Sequence, residues 1–263
     1  MELHFQKYQA NGNDFVMLLD LDQSIHLTKP QIARLCDRHF GIGADGLMLL
    51  RSAAKYDFEM VYFNSDGLPA SMCGNGGRSI AAMAYDTGIA PKTMQFIASD
   101  GNHQAIIHQE IDSHQRFDVS LKMIDVGQVK QVLDGYFLNT GVPHFVKFVK
   151  NLDDINVPEE GRLLRNHPVF SPEGCNINFV SLEDDSMKVR TYERGVEDET
   201  LSCGTGVTAS AIAAFVAFHK QNIPIRSRGG DFRVRFEQQG SSFENIWLRG
   251  EAEKVFEGSI LIK

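Results

Sequence analysis

Positive charge is what this chain has little of. Its 26 lysines and arginines are outnumbered by 34 aspartates and glutamates, for a formal net charge of −8. Binding to nucleic acid or to an anionic membrane surface calls for the opposite balance, so neither is expected as a partner. Cysteine is scarce as well: four in 263 residues cannot staple a chain of this size, which excludes a disulfide scaffold. No C-x-x-C occurs, which argues against a dithiol redox module. The nine histidines are scattered and form no close Cys/His pairs at zinc-ligand spacing. Long apolar runs are also missing. Met1 to Phe15 mixes polar and apolar residues and has no signal-peptide core. The charge-free apolar run Gly204 to Phe218, at 15 residues, is short for a membrane span and suited to a core helix. A cytoplasmic protein is expected. What the chain does have is 43% hydrophobic residues, enough to fill a core, in a length that allows one large domain or two smaller ones.

Most of the chain reads as short strands. Arg116 to Met123 alternates apolar and polar residues, as do Met187 to Tyr192 and Asp231 to Phe236, with Phe58 to Phe63 doing so in part. Turn clusters separate them at Asn64–Gly67, Ser99–Asn102 and Arg228–Asp231. Three segments predict helices. From Thr28 a cap and an early proline precede apolar residues at Ile32, Leu35, Cys36 and Phe40, closing at Gly41. The other two, Arg78 to Asp86 and Val207 to Phe218, are alanine-rich and poor in charge, and a helix apolar on nearly all sides is one enclosed by other structure.

These two helices share an approach: Cys73-Gly74-Asn75-Gly76 before the first and Cys203-Gly204-Thr205-Gly206 before the second, the cysteines 130 residues apart. That spacing, close to half the chain, implies an internal duplication with one central helix in each half. A cysteine ahead of a helix meets unpaired backbone N–H groups and the positive end of the dipole, which favour thiolate. Neighbouring glycines let a carboxylate approach the same N–H groups. Two such motifs facing one another across a cleft suit inversion of a stereocentre, because one ionised and one protonated acid–base group are needed on opposite faces of a carbon. Helix dipoles would stabilise the charge that develops on a bound carboxylate, with no need for pyridoxal phosphate. The plainer alternative, cysteine as a small buried hydrophobe, fits Cys36 and Cys175. Gly41 to Gly46 matches G-x-G-x-x-G, but a helix precedes it and a strand follows, the reverse of the dinucleotide-binding order.

The motifs taken together resemble the diaminopimelate epimerase family over essentially the whole chain. In order they are Asn11-Gly12-Asn13-Asp14-Phe15, Gly41-Ile42-Gly43-Ala44-Asp45, Phe63-Asn64-Ser65-Asp66-Gly67 and Cys73-Gly74-Asn75-Gly76-Gly77-Arg78. Pro143-His144, Asn176-Ile177-Asn178-Phe179, Tyr192-Glu193-Arg194-Gly195, Glu199-Thr200, Cys203-Gly204-Thr205-Gly206 and Gly250-Glu251-Ala252 follow. The resemblance implies cofactor-independent interconversion of LL- and meso-diaminopimelate in lysine and cell-wall precursor biosynthesis, with no metal. Cys73 and Cys203 would be the catalytic bases. Asn13, Asn64, Gly74, Asn75, Asn176, Glu193, Arg194, Gly204 and Thr205 would hold a small diamino dicarboxylate, and His144 and Glu193 would tune the thiols. Asn11 and Asn102 read as turn residues. The chain departs from the family pattern at Gly46, where glutamine is common, at Val142, where asparagine is common, and in the acidic Glu197-Asp198-Glu199 loop. Related readings are a proline- or hydroxyproline-type racemase with two cysteines, and an amino-acid-binding protein without turnover.

The implied fold is α+β, with two pseudo-symmetric lobes, each a curved, mostly antiparallel sheet wrapped around a central helix. Residues 1–118 would form the lobe carrying Cys73, and residues 119–263 the lobe carrying Cys203. The last strand, about 252–263 and including Ser259 to Ile262, would pack back on the first lobe. A homodimer is the assembly left open.

Overall fold

The protein is described by a computed structural model covering residues 2–112 and 115–262. Its chain divides into two compact units, Met1–Leu121 with Gly250–Lys263, and Lys122–Arg249. The first unit contains β1 (Glu2–Ala10), β2 (Asn13–Leu19), α1 (Lys29–Cys36), β3 (Gly46–Arg51), β4 (Phe58–Asn64), α2 (Gly74–Asp86), β5 (Thr93–Ala98), β6 (Gly101–Asp112) and β7 (Arg116–Lys122). The second contains β8 (Lys130–Val132), β9 (Gly135–Asn139), β10 (Pro143–Phe148), α3 (Val157–Arg165), β11 (Asn176–Leu182), β12 (Met187–Glu193) and β13 (Asp198–Thr200). It continues through α4 (Gly204–Phe218), β14 (Ile225–Ser227), β15 (Gly230–Gln239) and the start of β16 (Ser242–Leu261).

In the first unit β1 to β7 lie side by side in chain order. The later part of β16 pairs antiparallel with β7 (Glu251 opposite Asp118) and with β1 (Leu261 opposite Glu2), so the strands close into a barrel. Closure removes the free sheet edges, which otherwise present unpaired N–H and C=O groups. In the second unit the order is β16-β15-β14-β12-β11-β10-β9-β8, with β13 on β12.

One topology is used twice. In the first unit β1 and β2 are antiparallel, β2 and β3 parallel with α1 between them, β3 and β4 antiparallel, and β4 and β5 parallel with α2 between them. In the second, β9 and β10 are antiparallel, β10 and β11 parallel across α3, β11 and β12 antiparallel, and β12 and β14 parallel across α4. The repeat inferred from two C-G-x-G segments therefore extends to the order and sense of these pairings, and the class is the mostly antiparallel α+β arrangement expected.

In each unit one helix packs outside the sheet and another inside. Leu47 and Leu49 of β3 join Val16, Leu18, Ile32, Leu35 and Cys36 in a cluster under α1. Ile177 and Phe179 of β11 join Phe145, Val157 and Tyr192 under α3. Side chains alternate along a strand, so Met48 and Leu50, and likewise Asn176, Asn178 and Val180, face the other way. β3 and β11 are thus covered on both faces, which explains the continuous apolar run Leu47 to Leu50.

The inner helices are α2 and α4. Residues Gly74 to Ala84 of α2 are all buried, and so are Gly204 and Gly206 to Ala214 of α4. Both begin earlier than their alanine-rich stretches suggested. Enclosure outweighs the poor helix propensity of glycine, and Gly74-Asn75-Gly76-Gly77 and Gly204-Thr205-Gly206 form first helical turns with Cys73 and Cys203 as N-caps. The first helix is α1, with Thr28 as N-cap and its N–H donated to Gln31 Oε1 at 3.0 Å. Phe40 is not on its buried face as expected: the helix ends at Cys36, and Phe40 lies in the following turn, 67% exposed. No described helix is long and apolar enough to cross a membrane.

Small side chains are what let α2 fit inside the barrel: Ala81, Ala82 and Ala84 are fully buried. Ala82→Leu adds bulk with no void to take it, and should lower the denaturant midpoint by an amount equivalent to about 1–3 kcal/mol. An unchanged midpoint would show that the helix is not tightly enclosed.

Candidate functional site

Cys73 has extended backbone angles (φ −115°, ψ 155°), so its side chain turns back over the first turn of α2, where Sγ accepts the Gly76 N–H at 3.3 Å. The thiol lies 3.9 Å from Asn13 Oδ1, and Asn13 Nδ2 donates to Asp45 Oδ2 at 2.7 Å. Asp45 and Asp14 are bridged by Arg38, at 2.8 and 2.7 Å, and Asp14 also pairs with the buried Lys7 at 2.7 Å. Burial alone would raise the Asp14 carboxyl, but the hydrogen bonds and charges of Arg38 and Lys7 outweigh it and hold the group well below the usual carboxylate range. The turn carrying Asn13 is thus tied down by ions.

Beneath Cys73, inside α2, is a fully buried cation. Arg78 donates to Asn11 Oδ1 at 2.6 Å, Asn75 Oδ1 at 2.9 Å and the Gly74 carbonyl at 3.2 Å. Burial pulls its pKa down to about 10, while the Cys73 sulfur acts in the other direction. The guanidinium is therefore charged at neutral pH and electrostatically coupled to the cysteine. An arginine near the start of an alanine-rich helix, whose other charged residue is the terminal Asp86, was the available signal for Arg78, although the motif reading assigned it no role. Asn11 does sit in a turn, with φ 51°, and also anchors this arginine.

In the second unit Cys203 caps α4, its Sγ 3.3 Å from Thr205 Oγ1, and the Thr205 carbonyl accepts from Thr140 Oγ1 at 2.9 Å. Asn176 accepts the Arg194 backbone N–H at 2.8 Å. The Arg194 guanidinium reaches the Glu173 and Gly174 carbonyls at 3.3 and 3.4 Å. Burial raises the carboxyl pKa of neighbouring Glu193 above the ordinary value. His144, paired in register with Asn176, is fully buried, and burial pushes its imidazole down to about 3. Asn178 lies between this ring and α4: its Nδ2 is 3.1 Å from His144 Nδ1, and a Cβ on Gly206 would collide with its Oδ1. Only glycine permits that approach.

Within the first unit, then, Cys73, Gly74, Asn75 and Asn13 come together. Asn64, exposed at the end of β4, lies opposite Gly46, next to the Asp45 that holds Asn13, and its backbone N–H is bonded to the Leu68 carbonyl at 2.9 Å. Within the second, hydrogen bonds or strand register join Cys203 to Thr205, Asn176 to Arg194, and Asn176 to His144. Asn178 was passed over although it lies two residues along the strand from Asn176, on the same inward face.

The departures from the family pattern have local causes. A side chain at Gly46 would meet the Tyr62 ring and the Phe63 carbonyl, each 2.6 Å from its Cβ, so glycine is required where β3 begins. Val142 lies in the turn before β10, its carbonyl accepting the Thr140 N–H at 3.2 Å. The acidic loop is neutralised by arginines: Glu197 pairs with Arg165 at 2.9 Å, and Glu199 with Arg190 at 2.7 Å and Arg228 at 3.3 Å.

Each unit thus offers a cysteine at the positive end of a buried helix, glycine N–H groups beside it, and polar side chains at strand ends. Such a set can bind a carboxylate and hold sulfur as thiolate or thiol.

Comparison with known proteins gives these features a family. Residues 5–122 and 136–255 match the sequence model named diaminopimelate epimerase. A diaminopimelate epimerase of Flavobacterium psychrophilum is 47% identical over 262 residues, covering 97% of this chain and 98% of that protein. One from Aquifex aeolicus is 37% identical, covering 98% of each. Among solved structures, a phenazine biosynthesis protein of the PhzF family from Bacillus anthracis superposes with a TM-score of 0.77 at 16% identity, covering 100% of both chains. A probable proline racemase from Agrobacterium radiobacter gives 0.68 at 14% identity, covering 99% of this chain and 93% of that one. These structural likenesses show a shared fold.

The buried His144 sets a pH dependence. Its pKa is 6.5 when unfolded and about 3 when folded, so between those values the unfolded chain binds the extra proton. Stability is therefore intact above pH 6.5 and falls as the pH drops toward 3. By linkage the loss from this group is about 2 kcal/mol at pH 5. Replacing the ring in His144→Gln should flatten the stability profile between pH 7 and 5, measured by urea denaturation. A variant profile as steep as the parent's would show that His144 is not buried in neutral form.

Proposed function

The chain belongs to the diaminopimelate epimerase family, and from that premise we propose that it interconverts LL- and meso-2,6-diaminopimelate without a cofactor, Cys73 and Cys203 acting as the two acid–base groups. The observation that carries the reading is the repeated topology, which delivers a cysteine N-cap to the entrance of a buried, glycine-started helix in each unit. Two equivalent thiols suit a reaction whose forward and reverse directions exchange the roles of acid and base.

In the proposed step one cysteine, as thiolate, takes the proton from the substrate α-carbon. The electron pair of the broken C–H bond is delocalised toward the α-carboxylate. The other cysteine, as thiol, gives its proton to the opposite face, so the sulfurs finish with their protonation states exchanged. Backbone N–H groups at Gly74-Asn75 and Gly204-Thr205 stabilise the negative charge that builds on the carboxylate. The buried Arg78 charge favours the ionised form of Cys73. Asn13, Asn64, Asn176 and Arg194 hold the polar groups of the substrate. Glu193 takes an ammonium or, in its protonated form, acts on the thiols. The same reading places the reaction in the cytoplasm, in lysine and cell-wall precursor biosynthesis.

A second reading, racemisation of proline or hydroxyproline, draws on fold neighbours at low identity, which include a hydroxyproline epimerase from Agrobacterium vitis. The two are separated by incubating the protein with LL-diaminopimelate, or with L-proline, in deuterated water. Deuterium at one α-carbon of epimerised diaminopimelate is the expected result. Exchange with proline alone selects the second reading, and binding without exchange leaves a non-catalytic amino-acid-binding protein.

Cys73→Ala and Cys203→Ala should each lower epimerisation by about 10³-fold, within the range for loss of an acid–base group, with unchanged far-ultraviolet circular dichroism. Near-parental turnover in either variant rules out the two-base assignment.

A further inference from the structure

Every hydrogen bond at Asn178 has a fixed sense. Its Nδ2 lies 3.1 Å from the Phe145 carbonyl oxygen, which can only accept, and Thr191 Oγ1 donates to its Oδ1 at 2.9 Å. The amide is therefore oriented, with no room for a flip that would set oxygen against oxygen. The second proton of that NH2 points to His144 Nδ1 at 3.1 Å. An NH2 group donates, so Nδ1 must accept, and a neutral imidazole then carries its proton on Nε2. That Nε2 is buried and has no hydrogen-bond partner among the described residues. A buried donor left unpaired is costly and calls for an explanation. The surroundings of His144 favour an anion: Arg194 acts on it electrostatically, and β10 packs against α4, whose N-terminal turn at Gly206 touches Asn178.

We propose that Asn178 is a positioning residue that locks His144 in the Nε2–H tautomer, so that His144 serves the site as a hydrogen-bond donor to a carboxylate of the bound amino acid and not as a base. Burial supports this by keeping the ring neutral, its pKa near 3. Thr191, Asn178 and His144 then form a chain that ends at the Nε2–H of His144, which has no partner among the described residues. The tautomer follows from the hydrogen bonds alone, and only the identity of the acceptor rests on the epimerase reading.

The test uses the full-length protein labelled with ¹⁵N-histidine. Two-bond ¹H–¹⁵N spectra report which ring nitrogen is protonated, and the His144→Gln spectrum identifies the resonances of His144. In the ligand-free protein Nδ1 should appear as an unprotonated acceptor and Nε2 as protonated. Saturation with meso-diaminopimelate, verified by calorimetry, should move the Nε2–H proton downfield. A proton on Nδ1 overturns the lock, and an Nε2–H unmoved by saturating ligand overturns the donor role. Asn178→Asp puts an acceptor opposite Nδ1. It should transfer the proton there and lower kcat by about 100-fold or more with a smaller change in KM, as for a histidine held in the wrong tautomer. Retention of both tautomer and kcat counts against the proposal. If the variant does not fold, the parental spectrum decides by itself. If the deuterium-exchange assay with diaminopimelate fails while the Nε2–H tautomer is found, the epimerase reading falls and the lock stands.

Discussion

A helix that starts inside a protein leaves backbone N–H groups pointing at whatever lies in front of it, and water cannot satisfy them there. In this molecule that constraint arises at α2 and again at α4. The polar residues at the strand ends around each helix are the response. At α2 the first turn is capped by sulfur, and below it a guanidinium collects the side-chain oxygens of Asn75 and Asn11 and the Gly74 carbonyl. At α4 the cap sulfur accepts no such bond, and the turn packs instead on the Asn178 amide. An anionic ligand suits both ends because negative charge is what these ends lack.

The two units reach this position with different internal chemistry. One buries a permanent cation, Arg78, and ties its turn with the ion pairs of Lys7, Asp14, Arg38 and Asp45. The other buries a neutral imidazole, an oriented amide and a hydroxyl. Burying an arginine is tolerable where its terminal nitrogens find acceptors, as both do in Arg78, and burying a histidine is tolerable if it stays uncharged. A duplicated backbone thus carries two unlike electrostatic environments, one built around a buried cation and the other around buried neutral groups. Under the proposed two-base reading, the two sulfurs need not be surrounded identically.

Much of this was legible beforehand. The strands showed in alternation, the inner helices in alanine with little charge, and the paired cysteines in their glycine neighbours. The resemblance to diaminopimelate epimerases rested on ordered motifs spanning the chain, and the match to that family agrees with it. Phe40 failed because apolar spacing continues past a helix end without marking it. The early helix starts at Gly74 and Gly204 were missed because local propensity disfavours glycine, whereas enclosure decides the outcome. Asn178 was missed because, in isolation, a strand asparagine says nothing about what lies across from it.

By itself the sequence determined which residue types occur and with what period: strand alternation, charge-poor helices, capping cysteines and a repeat of half the chain. Those are local or compositional facts, carried by the covalent order. Only the tertiary structure decided that Arg78 binds Asn11, that Tyr62 leaves no room beside Gly46, and that Asn178 faces both His144 and Gly206. Such contacts join residues tens of positions apart. They depend on strand register and on which face each side chain takes, and a shift of one residue would reverse every one of them.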